Sequence, residues 1–268
     1  MPCETEPAPT RSERLRELMR LSLELGDPAR DLVILAEGNT SARIDAESFW
    51  VKASGTSLAH ADHPGAYVAV RVAPLMATLR ESGELDDAET KRRLRAAAVD
   101  QADQTDEAAV PSIETYVHAA CLEVGGAAFV AHTHPTALNA LLCIERPEPI
   151  YGGVLFPDEA VICGPVPLIV PYAEPGLALG RVMLKRLDEF VAEHGEPPRT
   201  VLLLNHGLFT LGASADEAAA ITEMAVKAAR IRLGALSTGG TLRFLPAGQA
   251  ARLYGREDER ARRERLAG

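Results

Sequence analysis

Ala127-Ala-Phe-Val-Ala-His-Thr-His-Pro135 is an apolar run that ends in two histidines. Its composition predicts a strand over 127–133, and Pro135 near a first turn predicts a helix to Cys143. On a strand, residues i and i+2 point to the same face. His132 and His134 therefore present their rings to one point. A second apolar run, Thr200-Val-Leu-Leu-Leu-Asn205, reads as a strand that leads into His206 of Asn-His-Gly (205–207). The chain has seven histidines, and three of them stand beside predicted strands. A third imidazole arriving from another strand completes a three-His set with an open coordination position. That donor pattern suits a catalytic rather than a structural divalent metal. A His-x-His pair alone has a plainer reading, with one ring hydrogen-bonded and the other solvated. The third His, after so apolar a strand, weighs toward ligation.

Helical and strand-like patterns interleave on either side of this stretch. Ser12 reads as the cap of a helix over 13–26, where Leu15, Leu18, Met19 and Ser22 form one stripe. Val33-Ile-Leu35 reads as the start of a strand and Gly38-Asn39 as a turn. Thr40–Ile44 and Ser48–Ala53 read as a hairpin. Tyr67–Val72 predicts a strand and Ala73–Ser82 a helix. The charged, Ala-rich stretch 83–110 predicts a helix with an exposed loop, and Ser112–Val124 a helix. Residues 145–167 hold five prolines and read as loop with short extended pieces. Leu168–Val170 predicts a strand, Gly176–Glu193 a helix and Phe209–Leu211 a short strand. Ser214 reads as the cap of a long helix over 215–236, with Asp216 and Glu217 in its first turn. The hairpin argues for a mixed or antiparallel sheet, and no linker or repeat divides the chain. The expected architecture is one α/β/α domain over 13–250. It follows a polar, disordered tail over 1–12 and precedes a charged helix or tail over 251–268.

Composition bounds the function. The sequence has 268 residues, 47% of them hydrophobic and only 4% aromatic, so Ala, Leu and Val must fill a sizeable core. A net charge of -10 argues against non-specific nucleic-acid binding. It leaves room for an anionic small substrate in a cleft with local donors. Cys3, Cys121, Cys143 and Cys163 show no CxxC spacing, which suits reduced thiols in a cytoplasmic protein. The start of the chain reads as neither a signal nor a transit peptide, and no apolar run reaches membrane-spanning length.

Other residues point to chemistry more weakly. Glu114, in Pro-Ser-Ile-Glu (111–114), precedes the His-x-His strand. A carboxylate near a metal can accept the proton of a carbon acid whose carbonyl the metal polarises. The local alternative is a helix-start acid favoured by the macrodipole, with Ser112 as N-cap. His118, four residues on, reads as packing against the site or supporting it. Gly38-Asn39 and Ser54-Gly55-Thr56 are small-residue loops that can offer donors to a phosphate or carboxylate, although most such steps are simply turns.

In order, Gly-Asn-Thr-Ser (38–41), Val-Lys-Ala-Ser-Gly (51–55), Pro-Ser-Ile-Glu (111–114), His-Thr-His-Pro (132–135) and Asn-His-Gly (205–207) resemble the class II aldolase/adducin family. The resemblance covers about residues 13–236. Within the family it is nearest to the aldolase module of rhamnulose-phosphate aldolase/dehydrogenase proteins, and it extends to fuculose-phosphate aldolase. It implies a three-layer α/β/α fold with a mixed, largely antiparallel sheet. His132, His134 and His206 would hold Zn²⁺ or another divalent metal such as Mn²⁺, Co²⁺ or Fe²⁺. Glu114 would move the proton of a metal-stabilised enediolate. Asn39, Ser54, Gly55 and Ser112 match positions that hold the substrate phosphate. Ile113 departs from the family's frequent pair of hydroxyl residues before the Glu. The implied activity is cleavage of a ketose 1-phosphate to dihydroxyacetone phosphate and an aldehyde. Sugar-phosphate 4-epimerase, keto-acid sugar-phosphate decarboxylase and a non-catalytic adducin-like module are the alternatives. The resemblance also implies a homotetramer and a general-acid Tyr, for which Tyr151 and Tyr172 are candidates.

Overall fold

The computed structural model describes residues 9–99 and 109–267. Among them, seven strands form one sheet: β1 (Asn39–Arg43), β2 (Ser48–Lys52), β3 (Tyr67–Arg71), β4 (Phe129–Thr133), β5 (Leu168–Val170), β6 (Thr200–Leu203) and β7 (Gly207–Gly212). Their order across the sheet is β3-β2-β1-β4-β7-β6-β5. Every neighbouring pair is antiparallel except β5 and β6.

Helices cover both faces. The alternation of side chains along a strand decides which residues meet which layer. Val130 of β4 joins a core with Val117 and Cys121 of α4 (Thr115–Glu123) and Met183 and Leu187 of α7 (Leu177–His194). Its neighbours Phe129 and Ala131 point the other way, to Leu18 and Leu21 of α1 (Arg11–Leu25) and Ala218 of α8 (Ala215–Ser237). Leu202 and Leu208 extend that second layer onto α5 (Thr136–Leu142) and α6 (Pro157–Cys163). This is the expected α/β/α arrangement around a mixed, largely antiparallel sheet. His132 shares a face with Val130, so its ring enters the α4 side of the sheet.

Several boundaries differ from the sequence reading. Helix α1 is capped by Thr10, not Ser12. Thr10 and Glu13 form a reciprocal box in which the Glu13 carboxylate accepts from the Thr10 N–H at 2.8 Å. Ser214 does cap α8, accepting from the Glu217 N–H at 3.1 Å. Val33–Leu35 is not a strand. Leu35 takes a left-handed φ of 52°, and Glu37 closes the turn through the Ile34 N–H at 3.0 Å. The nearby β1 is already paired on both sides, so the segment has no strand edge there to join. The stretch 145–167 contains α6. Pro157 at its first turn, followed by Asp158 and Glu159, was a legible helix start. The helix read over 73–82 is α2 (Val72–Arg80), and the charged stretch after residue 83 holds α3 (Asp87–Ala96), while its loop falls outside the described residues. The C-terminal stretch forms α9 (Ala247–Gly255) and α10 (Glu257–Ala267). Ala250 is buried there and Arg263 lies over the Tyr254 ring, so the charged tail is only partly solvated. Among the described residues no helix is long and apolar enough to cross a membrane. Cys121, Cys143 and Cys163 are free thiols, and Cys3 lies outside the described residues.

One glycine sets the geometry of the sheet centre. Gly38 has φ 69°, and a Cβ there would lie 2.7 Å from the His132 carbonyl oxygen. Only glycine lets the chain turn so tightly into β1 beside β4. Asn39 follows as the first residue of β1, paired with His132 rather than standing in a turn.

Candidate metal centre

Strand β4 carries His132 as its fourth residue, and His134 follows one residue past its end. His206 comes from the turn between β6 and β7. The predicted strand 200–205 ends at Leu203, because Asn205 adopts a left-handed φ of 56° and reverses the chain. Gly207 makes this turn possible, since a Cβ there would lie 2.6 Å from the Thr133 carbonyl and 2.8 Å from the His134 ring. Asn139 of α5 donates to the His206 carbonyl at 3.0 Å and holds the turn.

One ligating atom from each of the three rings lies within 4.8 Å of the others, so the group could hold a metal ion. His132 Nδ1 lies 2.9 Å from the Leu208 carbonyl. A carbonyl can only accept, so Nδ1 carries a proton and Nε2 is the nitrogen turned to the other two rings. His132 also stacks on Phe209, with centroids 4.1 Å apart. His134 Nε2 lies 2.9 Å from His132 Nε2, and its Nδ1 lies 3.7 Å from Glu37. Burial, with His132 and His206 alongside, pushes His134 down to about 3. Its ring is neutral near pH 7. His206 Nδ1 is buried without a partner. Three imidazoles that converge on one point form a donor set that fits a divalent ion.

Glu114 caps α4 rather than sitting in its first turn, and it is 7% exposed. Its carboxylate turns away from the helix axis to the rings. One oxygen lies 3.2 Å from His206 Nε2 and the other 3.4 Å from His132 Nε2. Asn39 Nδ2 donates to Glu114 Oε2 at 2.6 Å. Burial alone would raise the Glu114 pKa, but the His132 and His206 rings outweigh it and hold the carboxyl well below its ordinary value. Ser112 is not the cap. Its Oγ sits 3.4 Å from the Glu114 N–H and 3.4 Å from Asn39 Nδ2, and its carbonyl accepts from the Thr115 hydroxyl at 2.6 Å.

The sequence-derived residues therefore divide. His132, His134, His206, Glu114, Asn39 and Ser112 converge. Ser54 and Gly55 are exposed on the loop after β2, with Gly55 at φ 79°. Tyr151 is buried beside Arg232, whose guanidinium lies 5.0 Å from its ring centre, and Tyr172 is 62% exposed. His118, read as packing against the site or supporting it, is fully buried between Asn39 and Ser41.

Two residues were missed. Glu37 faces the outer nitrogen of His134, and nothing in the sequence separates it from a loop acid. Lys52 ends β2 with 2% exposure, and its ammonium donates to the carbonyls of Ala53, at 3.3 Å, and Thr56. A strand-end Lys before a small-residue loop ordinarily reads as solvated. Burial pushes Lys52 down to about 8, with the Glu114 charge opposing. The unfolded value is about 10.4. Between these values the unfolded chain binds more protons, so this group makes stability rise with pH from about 8 to 10.4. Lys52→Met is expected to remove that rise and to add about 1–3 kcal/mol at pH 7. Urea titrations of both proteins at pH 7 and 10 check this, and parallel pH dependences would refute it.

The likeness to known proteins agrees with this fold. The sequence matches the Class II Aldolase and Adducin N-terminal domain over residues 16–233, and the chain belongs to that family. Its fold is similar to the N-terminal class II aldolase domain of a conserved protein from Thermoplasma acidophilum. That pair shares 23% identity over 86% of this chain and 97% of the other, with a TM-score of 0.64. YgbL of Klebsiella pneumoniae, a candidate aldolase/epimerase/decarboxylase, shares 20% identity over 92% and 100% of the two chains, with a TM-score of 0.65. L-fuculose 1-phosphate aldolase from Glaciozyma antarctica PI12 shares 15% identity over 99% and 92%, with a TM-score of 0.63. At such identities the likeness concerns the fold. No curated protein matches the sequence.

Proposed function

We propose that the chain is a metal-dependent aldolase that cleaves a ketose 1-phosphate, or a related sugar, to dihydroxyacetone phosphate and an aldehyde. The carrying observation is the Glu114 carboxylate, buried within 3.2 and 3.4 Å of two of three convergent imidazoles. In this reading His132, His134 and His206 hold a divalent ion, Zn²⁺ or else Mn²⁺, Co²⁺ or Fe²⁺. When bound, the ion supplies Lewis-acid stabilisation for negative charge that develops on the ketose oxygens. Breaking the bond between C3 and C4 leaves its electron pair on C3, beside the carbonyl. The C4 hydroxyl gives up its proton as C4 becomes the aldehyde carbon, and Glu114 passes a proton to C3, so the two balance. In the reverse direction Glu114 removes the C3 proton. Ser54, Gly55 and Ser112, with Asn39 on the family pattern, face the phosphate end.

A panel of phosphorylated ketoses with aldehyde detection tests this reading. Aldehyde release supports it. A C4 epimer or carbon dioxide instead would assign the same site to an epimerase or a decarboxylase. A metal-loaded protein inert to the whole panel would point to the non-catalytic adducin-like module.

Two further expectations belong to this reading. A homotetramer is expected, and a fully active monomer in light scattering at micromolar concentration would refute it. Ile113 offers no side-chain donor and is 45% exposed. One hydrogen bond to a charged group is worth about 1.5–3 kcal/mol, so Ile113→Ser is expected to lower the Michaelis constant for a phosphorylated ketose about tenfold. An unchanged or higher constant would show that this position does not face phosphate.

A further inference from the structure

Glu114, at the cap of α4, and His118 within it are four residues apart, a separation of about 6 Å along a helix. Asn39 and Ser41 are two residues apart on one face of β1, a separation of about 6.7 Å along a strand. The two spacings match, and the four side chains interlock. Asn39 Nδ2 lies 2.6 Å from Glu114 Oε2, and Asn39 Oδ1 meets His118 Nε2. His118 Nδ1 lies 2.6 Å from Ser41 Oγ. Asn39, Ser41 and His118 are all buried, the last two completely.

Each link fixes the next. A carboxylate accepts hydrogen bonds and Asn39 meets it with its N–H, so the amide oxygen is left for His118. That oxygen can only accept, so His118 Nε2 must carry a proton. Burial, followed by the nearby His132, pushes His118 down to about 3, so the ring is neutral and Nδ1 is a lone pair. The Ser41 hydroxyl must then donate to it. An amide flip at Asn39 would set two acceptor oxygens against each other at Glu114 and reverse every other bond.

We propose that Ser41 and His118 are positioning residues, which lock the Asn39 amide so that its N–H is aimed at Glu114. The inference rests on Glu114 as the proton carrier. It also occupies the Asn39 amide with the base, where the family pattern gives it to the phosphate. Hydrogen bonds in such a buried chain polarise one another, and a partly broken chain loses its alignment.

Two measurements on the full-length, metal-loaded protein test the proposal. Nitrogen-15 spectra of the imidazoles should show His118 neutral and protonated on Nε2; an Nδ1–H tautomer or a cation would overturn the chain. The second measurement is solvent-deuterium exchange into dihydroxyacetone phosphate. His118→Leu is expected to lower the maximal exchange rate by at least about tenfold, the scale of a lost hydrogen bond to a charged group. The Michaelis constant and bound metal should not change. His118→Gln, whose amide can still donate to Asn39, should recover most of the rate. Equal losses in both variants, or a loss confined to the Michaelis constant, would overturn the positioning role. A parent protein that exchanges no deuterium refutes the proposed reaction, and the tautomer then decides the chain by itself.

Discussion

Glu114→Gln is expected to cut turnover by a factor of about 10²–10⁴, the usual loss when general-base help is removed. Gln is nearly isosteric, so its amide oxygen can still accept from Asn39 Nδ2, now 2.6 Å from the carboxylate. The fold and the three-imidazole group should survive. A purely structural Glu would behave differently. It would cost only about 0.3–1 kcal/mol through the helix macrodipole and leave the rate intact. That reading already sits poorly with a carboxylate turned from the helix end onto His132 and His206. The check is solvent exchange at the ketose α-proton alongside metal analysis. A variant that keeps its metal and exchanges at the parent rate would rule out Glu114 as the proton carrier.

Removal of one imidazole is expected to abolish both bound metal and activity. About one divalent ion per chain is expected in the parent protein. The three histidines differ in what else they do, and the variants should differ accordingly. His132 is fully buried and stacked on Phe209, so His132→Ala also opens a core cavity that costs about 2–4 kcal/mol. The His134 side chain is 20% exposed at the end of β4. His134→Ala therefore isolates the loss of ligation from the loss of packing. Added zinc at 1,000 times its dissociation constant should stabilise the parent protein by about 4 kcal/mol and His134→Ala by far less. Full metal occupancy in a variant that lacks both His132 and His134 would end this assignment.

The interior of the fold was legible where a period was strong. The apolar run 127–133, the hairpin 40–53 and the Ser214-capped helix are local patterns, and each forms close to its expected bounds. The losses have identifiable causes. Val33–Leu35 carries strand-like residues but has no edge to pair with. The proline content of 145–167 hid α6, although proline opens a helix as readily as it ends one. In the site, the i, i+2 rule brought His132 and His134 to one point because the chain stays extended one residue past β4, where the His134 N–H donates to the Leu32 carbonyl. His206 was legible by residue type, yet its position depends on a turn and on Gly207. Lys52 and Glu37 were not legible. Their proximity to Glu114 and His134 arises from the packing of β2 and of the 31–37 turn, which no local spacing encodes.

Strand β4 lies inside the sheet, bonded on one side to β1 and on the other to β7. The backbone beside His132 therefore opens only when the sheet itself opens, in the slowest class of amide hydrogen exchange. An ion held there would slow exchange across the whole core rather than in one loop. Treatment with a chelator should then speed exchange at Val130, Leu202 and Phe209 by the same factor, so that ion occupancy is reported by core amides that are not themselves ligands.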